Sequence, residues 1–205
     1  MYDKRAIVYD RLWARYTRRT HDELLSRVHV ANDQHVLDVG CGTGVLAQRL
    51  ATLHPNMEIV GVDASSRMLS RAQARFSGKS NVTFVRARAE QLPFSDASFD
   101  LILSASALHH FTDPSRALRE MCRVLAVDGR IAVLDWCREF KRMRLVDRVL
   151  RIIDPSHVRA YTRDEILEMA SSEGLSVRIA EQLKVRGYGM MMILGERIIR
   201  STERG

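Results

Sequence analysis

The sequence predicts an α/β fold on a largely parallel sheet, and three observations carry that prediction. Short β-branched strands alternate with helical stretches, the βαβ rhythm that places helices on both faces of a parallel sheet. The first strand runs straight into the alternating glycines Gly40, Gly42 and Gly44, with a helical segment behind them. After Gly174, two extended runs at 176–185 and 188–194 flank Arg186-Gly187 and read as a hairpin.

Taken in order, strands are expected at 35–39, 58–62, 82–85, 99–104 and 130–135, and helices at 44–53, 65–77 and 113–126. His35-Val36-Leu37-Asp38-Val39 is short and β-branched, as a buried strand should be. The glycines after it take φ > 0 and let a ligand approach the backbone. Val45 to Ala51 has helical spacing, so the free N–H groups of a helix N-terminus open toward that loop. Met190-Met191-Met192 is expected in the sheet core. Ligands of open α/β sheets gather at the carboxyl ends of strands, which makes the strand ends the candidate site.

The glycine spacing narrows the ligand. A dinucleotide loop calls for Gly-x-Gly-x-x-Gly with a pyrophosphate at the helix N-terminus, and Val45 stands where the last glycine would fall. Asp38 lies two positions before Gly40. A carboxylate there repels a pyrophosphate and suits an ammonium group, such as that of the methionine part of S-adenosylmethionine. The next strand ends in Asp63, about twenty residues after the loop, where a ribose diol would lie. Asp63 is read as a ribose clamp, with the N-cap of a helix at 65–76 as the alternative.

Asp38-Val39-Gly40-Cys41-Gly42-Thr43-Gly44, Gly61-Val62-Asp63, Glu90-Gln91-Leu92-Pro93-Phe94 and Ser98-Phe99-Asp100-Leu101-Ile102 resemble, in order, the motifs of class I S-adenosylmethionine-dependent methyltransferases. The chain is most similar to the small-molecule group that includes the ubiquinone and menaquinone biosynthesis enzymes. The resemblance implies a Rossmann-like, doubly wound sheet of seven strands, mostly parallel, with one antiparallel strand in the C-terminal hairpin. It implies S-adenosylmethionine as cofactor and S-adenosylhomocysteine as product. The residues it assigns to the cofactor are Asp38, Gly40, Gly42 and Gly44 at the first strand end and Asp63 and Ala64 at the second. Arg88, Ala89 and Glu90 follow at the third, and Ser104 at the fourth.

Two positions depart from the family pattern. Arg88 stands where an acidic residue commonly receives the adenine amino group, and a guanidinium accepts no hydrogen bond. Adenine is then read by the backbone at Ala89 and the side chain of Glu90, the preferred reading, or Arg88 stacks on the ring. Val127-Asp128-Gly129 replaces a Pro-Gly-Gly loop, and Asp-Gly still supplies a turn.

Methyl transfer from a sulfonium is an in-line displacement, in which positioning supplies roughly 7–11 kcal/mol of the barrier. A base is needed only where the acceptor must lose a proton. His109 and His110, after the fourth strand, are the candidates, with packing and helix entry as their alternative role. Residues 1–30 are expected to form lid helices. Tyr9, Leu12, Trp13 and Tyr16 share one helical face there, so that Tyr9, Trp13 and Tyr16 meet either the substrate and sulfonium or the sheet. Trp136, at the fifth strand end, is a further substrate candidate. The insertion at 138–160 is expected to be a helical cap. Within 138–154, Lys141, Arg144, Arg148 and Arg151 fall on one face, and Met143, Val146, Val149, Leu150 and Ile153 on the other. Such a helix either covers the pocket or lies on an anionic membrane, which would suit a quinone or lipid acceptor.

Composition sets the remaining bounds. A single domain is expected at this length. The net charge of +7 is spread along the whole chain, and no nucleic-acid-binding signature accompanies it, which argues against a nucleic-acid partner; the resemblance implies a small, hydrophobic acceptor instead. No apolar run approaches the ~20 residues of a membrane span, and Met1-Tyr2-Asp3-Lys4-Arg5 lacks a signal-peptide core, so the protein is expected in the cytoplasm. Cys41, Cys122 and Cys137 show no metal-ligand spacing, and no metal is expected. His21, His29, His54 and His157 are expected at the surface. From another functional class, a cofactor-binding assembly or regulatory protein without turnover would share all of these motifs.

Overall fold

The computed structural model describes the backbone of residues 3–76 and 81–198, and the side chains of 14–76 and 81–198. The chain opens with helix α1 (Asp3–Leu25), followed by β1 (His35–Val39), α2 (Val45–Leu53), β2 (Glu58–Asp63), α3 (Ser66–Arg75), β3 (Val82–Arg86) and β4 (Phe99–Ala105). A short 3₁₀ turn at Leu108–His110 leads into α4 (Pro114–Val124) and β5 (Leu125–Trp136). The C-terminal part holds α5 (Lys141–Ile153), α6 (Arg163–Ser172), β6 (Leu175–Val185) and β7 (Tyr188–Arg197).

The seven strands form one sheet in the order β3-β2-β1-β4-β5-β7-β6. β1 to β5 pair in parallel, and β7 runs antiparallel to both of its neighbours. This is the expected doubly wound sheet with an antiparallel strand. Its order reverses at β1 and β4, which puts the ligand crevice beyond their carboxyl ends.

The period of two along the strands divides the core into two layers. Leu37, Val39, Ile102 and Val133 face α4 and α6, where Leu118, Met121 and Ile166 complete one layer. Val36, Leu101, Leu103 and Leu134 face the other way and pack with Tyr16 and Leu24 of α1, Leu46 and Leu50 of α2, and Met143 of α5. Met190, Met191 and Met192 are fully buried in β7, as expected. Arg186 and Gly187 join the hairpin with φ of 50° and 81°, the two-residue turn whose twist matches its strands. α6 starts with a capping box, Thr162 and Glu165 each bonding the other's backbone N–H.

Two expectations are corrected. Val127-Asp128-Gly129 is part of β5, as a bulge: Phe99 pairs with Leu125 and Leu101 with Arg130, so the extra residues bow out of register. The apolar face assigned to the insertion is only partly covered. α5 buries Met143 and Asp147 and half-buries Val146 and Leu150, while Val149 and Ile153 stay exposed. Asp147, assigned to neither face, is buried beside Met143.

Candidate functional site

Two cavities open at the carboxyl ends of β1, β2 and β4. The larger, about 580 Å³, is lined by Asp63, Ala64, Arg88, Ala89 and Glu90 on one side and by His110, Pro155, Ser156 and Val158 on the other. The smaller, about 270 Å³, lies against α1 and is lined by Tyr16, Thr17, Thr20 and His21. Gly40, Gly42 and Ser106 belong to the walls of both.

The glycine loop is held by β2. Gly40 and Cys41 donate their N–H groups to Val62 O at 2.8 and 3.0 Å, and Gly42 donates to Asp63 Oδ2 at 2.9 Å. Gly40 has φ 76°, and a Cβ there would lie 2.3 Å from Ala107 Cβ, so no other residue fits. Gly44 caps α2 behind the loop, packed against Phe84, and lines neither cavity. Asp63 Oδ1 accepts the Ser65 N–H at 2.8 Å. The N-cap of α3 is Ser65, so Asp63 braces the loop and faces the cavity. Each of its oxygens keeps a lone pair for a diol. Burial raises its pKa, partly offset by the bonds from Ser65 and Gly42.

Asp38 shares the strand face of Val36, toward α1 and α2. It is almost fully buried under the loop and lines neither cavity. Burial, then the charge of Asp63, raises its pKa to about 7. Its Oδ2 has no hydrogen-bond partner, a costly arrangement in a folded interior.

At the third strand end Glu90 organises the backbone rather than facing the cavity with both oxygens. Its Oε1 accepts the Thr112 N–H at 2.9 Å, the Thr112 hydroxyl at 2.8 Å and the Asp113 N–H at 3.3 Å. Burial opposes ionisation, but the bonds from Thr112, its own backbone, Asp113 and Arg88 prevail and hold the carboxylate near 2. Arg88 is tied to Glu90 and the Thr112 hydroxyl at the cavity rim. Ala89 lines the cavity beside them.

The fourth strand end differs from expectation. Ser104 does not reach the cavity: it is buried and donates to Val39 O at 3.0 Å, tying β4 to β1. Ser106 takes that place, held at φ 54°. A positive φ in a non-glycine residue is a sign of strain at functional sites, and one that no sequence motif announces.

The two adjacent histidines are separated by the 3₁₀ turn. His109 points into the core, bonded through Nδ1 to Asp135 Oδ1 at 2.6 Å and stacked on Trp136 at 4.3 Å between ring centres. Asp135 Oδ2 also accepts the Leu108 N–H at 2.6 Å, pinning the turn. Burial opposes ionisation of Asp135, but the neighbouring His109 outweighs it and lowers the pKa. His110 lines the cavity, and its Nδ1 meets Ser156 O at 2.6 Å. A carbonyl only accepts, so Nδ1 carries the proton and Nε2 is left as the basic nitrogen. Desolvation and then the proximity of His109 lower the His110 pKa to about 4.

Of the proposed substrate residues, Tyr9 and Trp13 have side chains outside the described residues. Trp136 lines neither cavity: it is buried and donates its indole N–H to the Tyr16 hydroxyl at 2.7 Å. Tyr16 bonds Ser106 Oγ at 2.9 Å beside the smaller cavity. Two of the lone histidines are not at the surface. His157 is buried, with Nε2 bonded to Asp147 Oδ1 at 2.8 Å. His21 is buried in the wall of the smaller cavity, its pKa lowered to about 3 mainly by burial and its Nδ1 without a partner. The packing of a helix turn against a loop is invisible to local sequence, which is why the sequence alone places His21 at the surface.

Residues 37–133 match the model of a methyltransferase domain. The chain is 40% identical over 148 residues to the uncharacterized methyltransferase YcgJ of Bacillus subtilis (strain 168), covering 70% of this chain and 58% of that one. It is 35% identical over 142 residues to the ubiquinone/menaquinone biosynthesis C-methyltransferase UbiE of Proteus mirabilis (strain HI4320), covering 67% and 54%. The crystal structure of the YcgJ protein from B. subtilis superposes with a TM-score of 0.76 at 25% identity, covering 89% of this chain and all of that one. The chain belongs to the class I S-adenosylmethionine-dependent methyltransferases. The matches span between half and two thirds of these curated relatives' length.

For a methyltransferase of this class the residues present are compatible with the cofactor: Asp63 in the cavity wall retains acceptor capacity, a Cβ at Gly42 would meet nothing within 4 Å, and Asp38 Oδ2, beneath the loop and outside both cavities, lacks a hydrogen-bond partner. Among the described residues, no cluster of side chains is arranged to hold a metal, and no helix is long and apolar enough to cross a membrane.

Proposed function

We propose that this protein methylates a small-molecule acceptor bound in the larger cavity, with His110 as the general base. The observation that carries the reading is the tautomer of His110: its Nδ1 proton is committed to Ser156 O, so Nε2 is a free base in the cavity wall shared with Asp63 and Glu90. In this reading Asp63 holds the ribose diol, Asp38 favours the ammonium group from beneath the loop, and the backbone at Ala89 reads the adenine. Bound S-adenosylmethionine supplies an electrophilic methyl group on a sulfonium.

The protein's own residues then do the rest. Pro155, Ser156 and Val158 confine the acceptor opposite the glycine loop. Two donors to His109 O, the N–H groups of Val158 and Arg159 at 2.9 and 3.2 Å, lock that linker onto the histidine turn. His110 Nε2 takes the acceptor's proton, leaving the acceptor's own lone pair to turn toward the methyl group, whose bond to sulfur would break with its electron pair kept by the cofactor; uncharged at neutral pH, His110 adds no repulsion to the sulfonium. A base of this kind contributes about 10²–10⁴-fold.

Transfer of labelled methyl from S-adenosylmethionine into fractionated cell extract tests the reading. Label is expected in the small-molecule fraction with the wild type and absent with Asp63→Ala. Label in protein or nucleic acid, or no label with cofactor affinity intact, would overturn it.

A further inference from the structure

The outer side of α5 divides into an aliphatic strip and a basic strip, of which Arg144 also bonds the Arg138 and Glu139 carbonyls. Leu145, Val149, Ile152 and Ile153 are 62%, 43%, 81% and 68% exposed. At 3.6 residues per turn they fall on one continuous stripe. Lys141, Arg144, Arg148 and Arg151 are exposed along one flank of it. Asp147, the only acidic residue of the helix, is turned inward, where its Oδ1 accepts the Ala160 N–H and bonds His157. No other carboxylate of α5 accompanies its cations. A groove of about 640 Å³ runs beside them, lined by Arg138, Arg144, Arg148 and Arg151 with Ile152 and Thr162, and by the carboxylates Glu139 and Asp147, so cations outnumber carboxylates there four to two.

A large exposed aliphatic stripe marks a binding surface. An acidic soluble partner would meet the arginines and leave the stripe in water. A bilayer of anionic lipids offers phosphates at the level of the arginines and an apolar layer about 5–10 Å beneath them, which matches both strips at once. We infer that α5 seats this protein on an anionic lipid surface, with Leu145, Val149, Ile152 and Ile153 entering the acyl boundary and the arginines meeting lipid phosphates. The linker that follows α5 supplies Pro155, Ser156 and Val158 to the larger cavity, so docking brings the cavity wall to the interface. The inference stands independently of the methyl-transfer reading.

Flotation of the full chain with phosphatidylcholine vesicles, with and without phosphatidylglycerol, tests it. The anionic vesicles are expected to carry the protein and the neutral ones not. Leu145→Gln with Ile152→Gln, and separately Arg148→Gln with Arg151→Gln, should each lower partitioning about tenfold or more. All four positions are solvent-facing, so unchanged S-adenosylmethionine affinity in both variants checks that the fold is kept. Absence of flotation with anionic vesicles overturns the inference. So does flotation that the arginine variant loses and the aliphatic variant keeps, which would mark adsorption by charge alone with no entry of the aliphatic stripe.

Discussion

The two walls of the larger cavity are built in different ways. The wall beside the glycine loop comes from consecutive strand ends, with Gly42 bonded to Asp63 and the loop N–H groups bonded to Val62. The opposite wall joins residues far apart in sequence: His110 to Ser156, and His109 O to Val158 and Arg159. The first is a backbone cradle, which parallel strand order produces wherever short strands end in glycine. The second is set by how α5 and its linker fold back on the histidine turn. In the proposed reading the first wall serves the cofactor and the second the acceptor.

The comparison breaks most sharply at His110. His110→Gln preserves a donor to Ser156 O and removes the base; kcat is expected to fall about 10²–10⁴-fold with S-adenosylmethionine affinity unchanged by calorimetry. An unchanged kcat would move the chemistry off the second wall. In the wild type the acid limb of kcat should lie below the ordinary histidine value of about 6.5, because the His110 pKa is lowered.

On the first wall, Asp63→Ala should weaken cofactor binding at least tenfold and, by orphaning the Gly42 and Ser65 N–H groups, cost roughly 1–3 kcal/mol of stability. Full affinity in titration calorimetry would remove Asp63 from the cofactor site.

Asp38 sharpens the same wall through pH. Its folded pKa of about 7 lies above the unfolded value of about 3.9, so the native state holds the proton longer. The ligand-free protein therefore loses stability as pH rises from about 4 through 7, with no further loss above. Asp38→Asn should gain thermal stability relative to wild type across that window while binding the cofactor more weakly. A Tm difference independent of pH would show that Asp38 is already ionised in the free protein.

The smallest effect is expected at Ser104→Ala. Losing its bond to Val39 O should cost about 1 kcal/mol in chemical denaturation and leave cofactor affinity untouched. Weakened binding would return Ser104 to the site that Ser106 occupies.

Most of the fold was legible because its signals are local. Strand and helix periods, the glycine loop and the Arg186-Gly187 turn each depend on residues a few positions apart, and the placing of helices on both faces then follows from the handedness of βαβ crossovers. The misread bulge at 127–129 and the uncovered face of α5 depend on pairing and packing partners distant in sequence.

At the site, the sequence by itself determined that Asp38, Gly40, Gly42 and Asp63 gather at the ends of β1 and β2, placed by the lengths of those strands and by a backbone that turns with φ > 0 at the glycines. Only the tertiary structure decided that His110 faces the cavity and His109 the core, that Ser106 displaces Ser104, and that His21 and His157 are buried. A side chain's direction after a strand end is set by the turn that follows, and Asp135, twenty-five residues past His110, pins that turn. Chemistry carried by the backbone is written locally, whereas chemistry carried by a side chain waits on its distant neighbours.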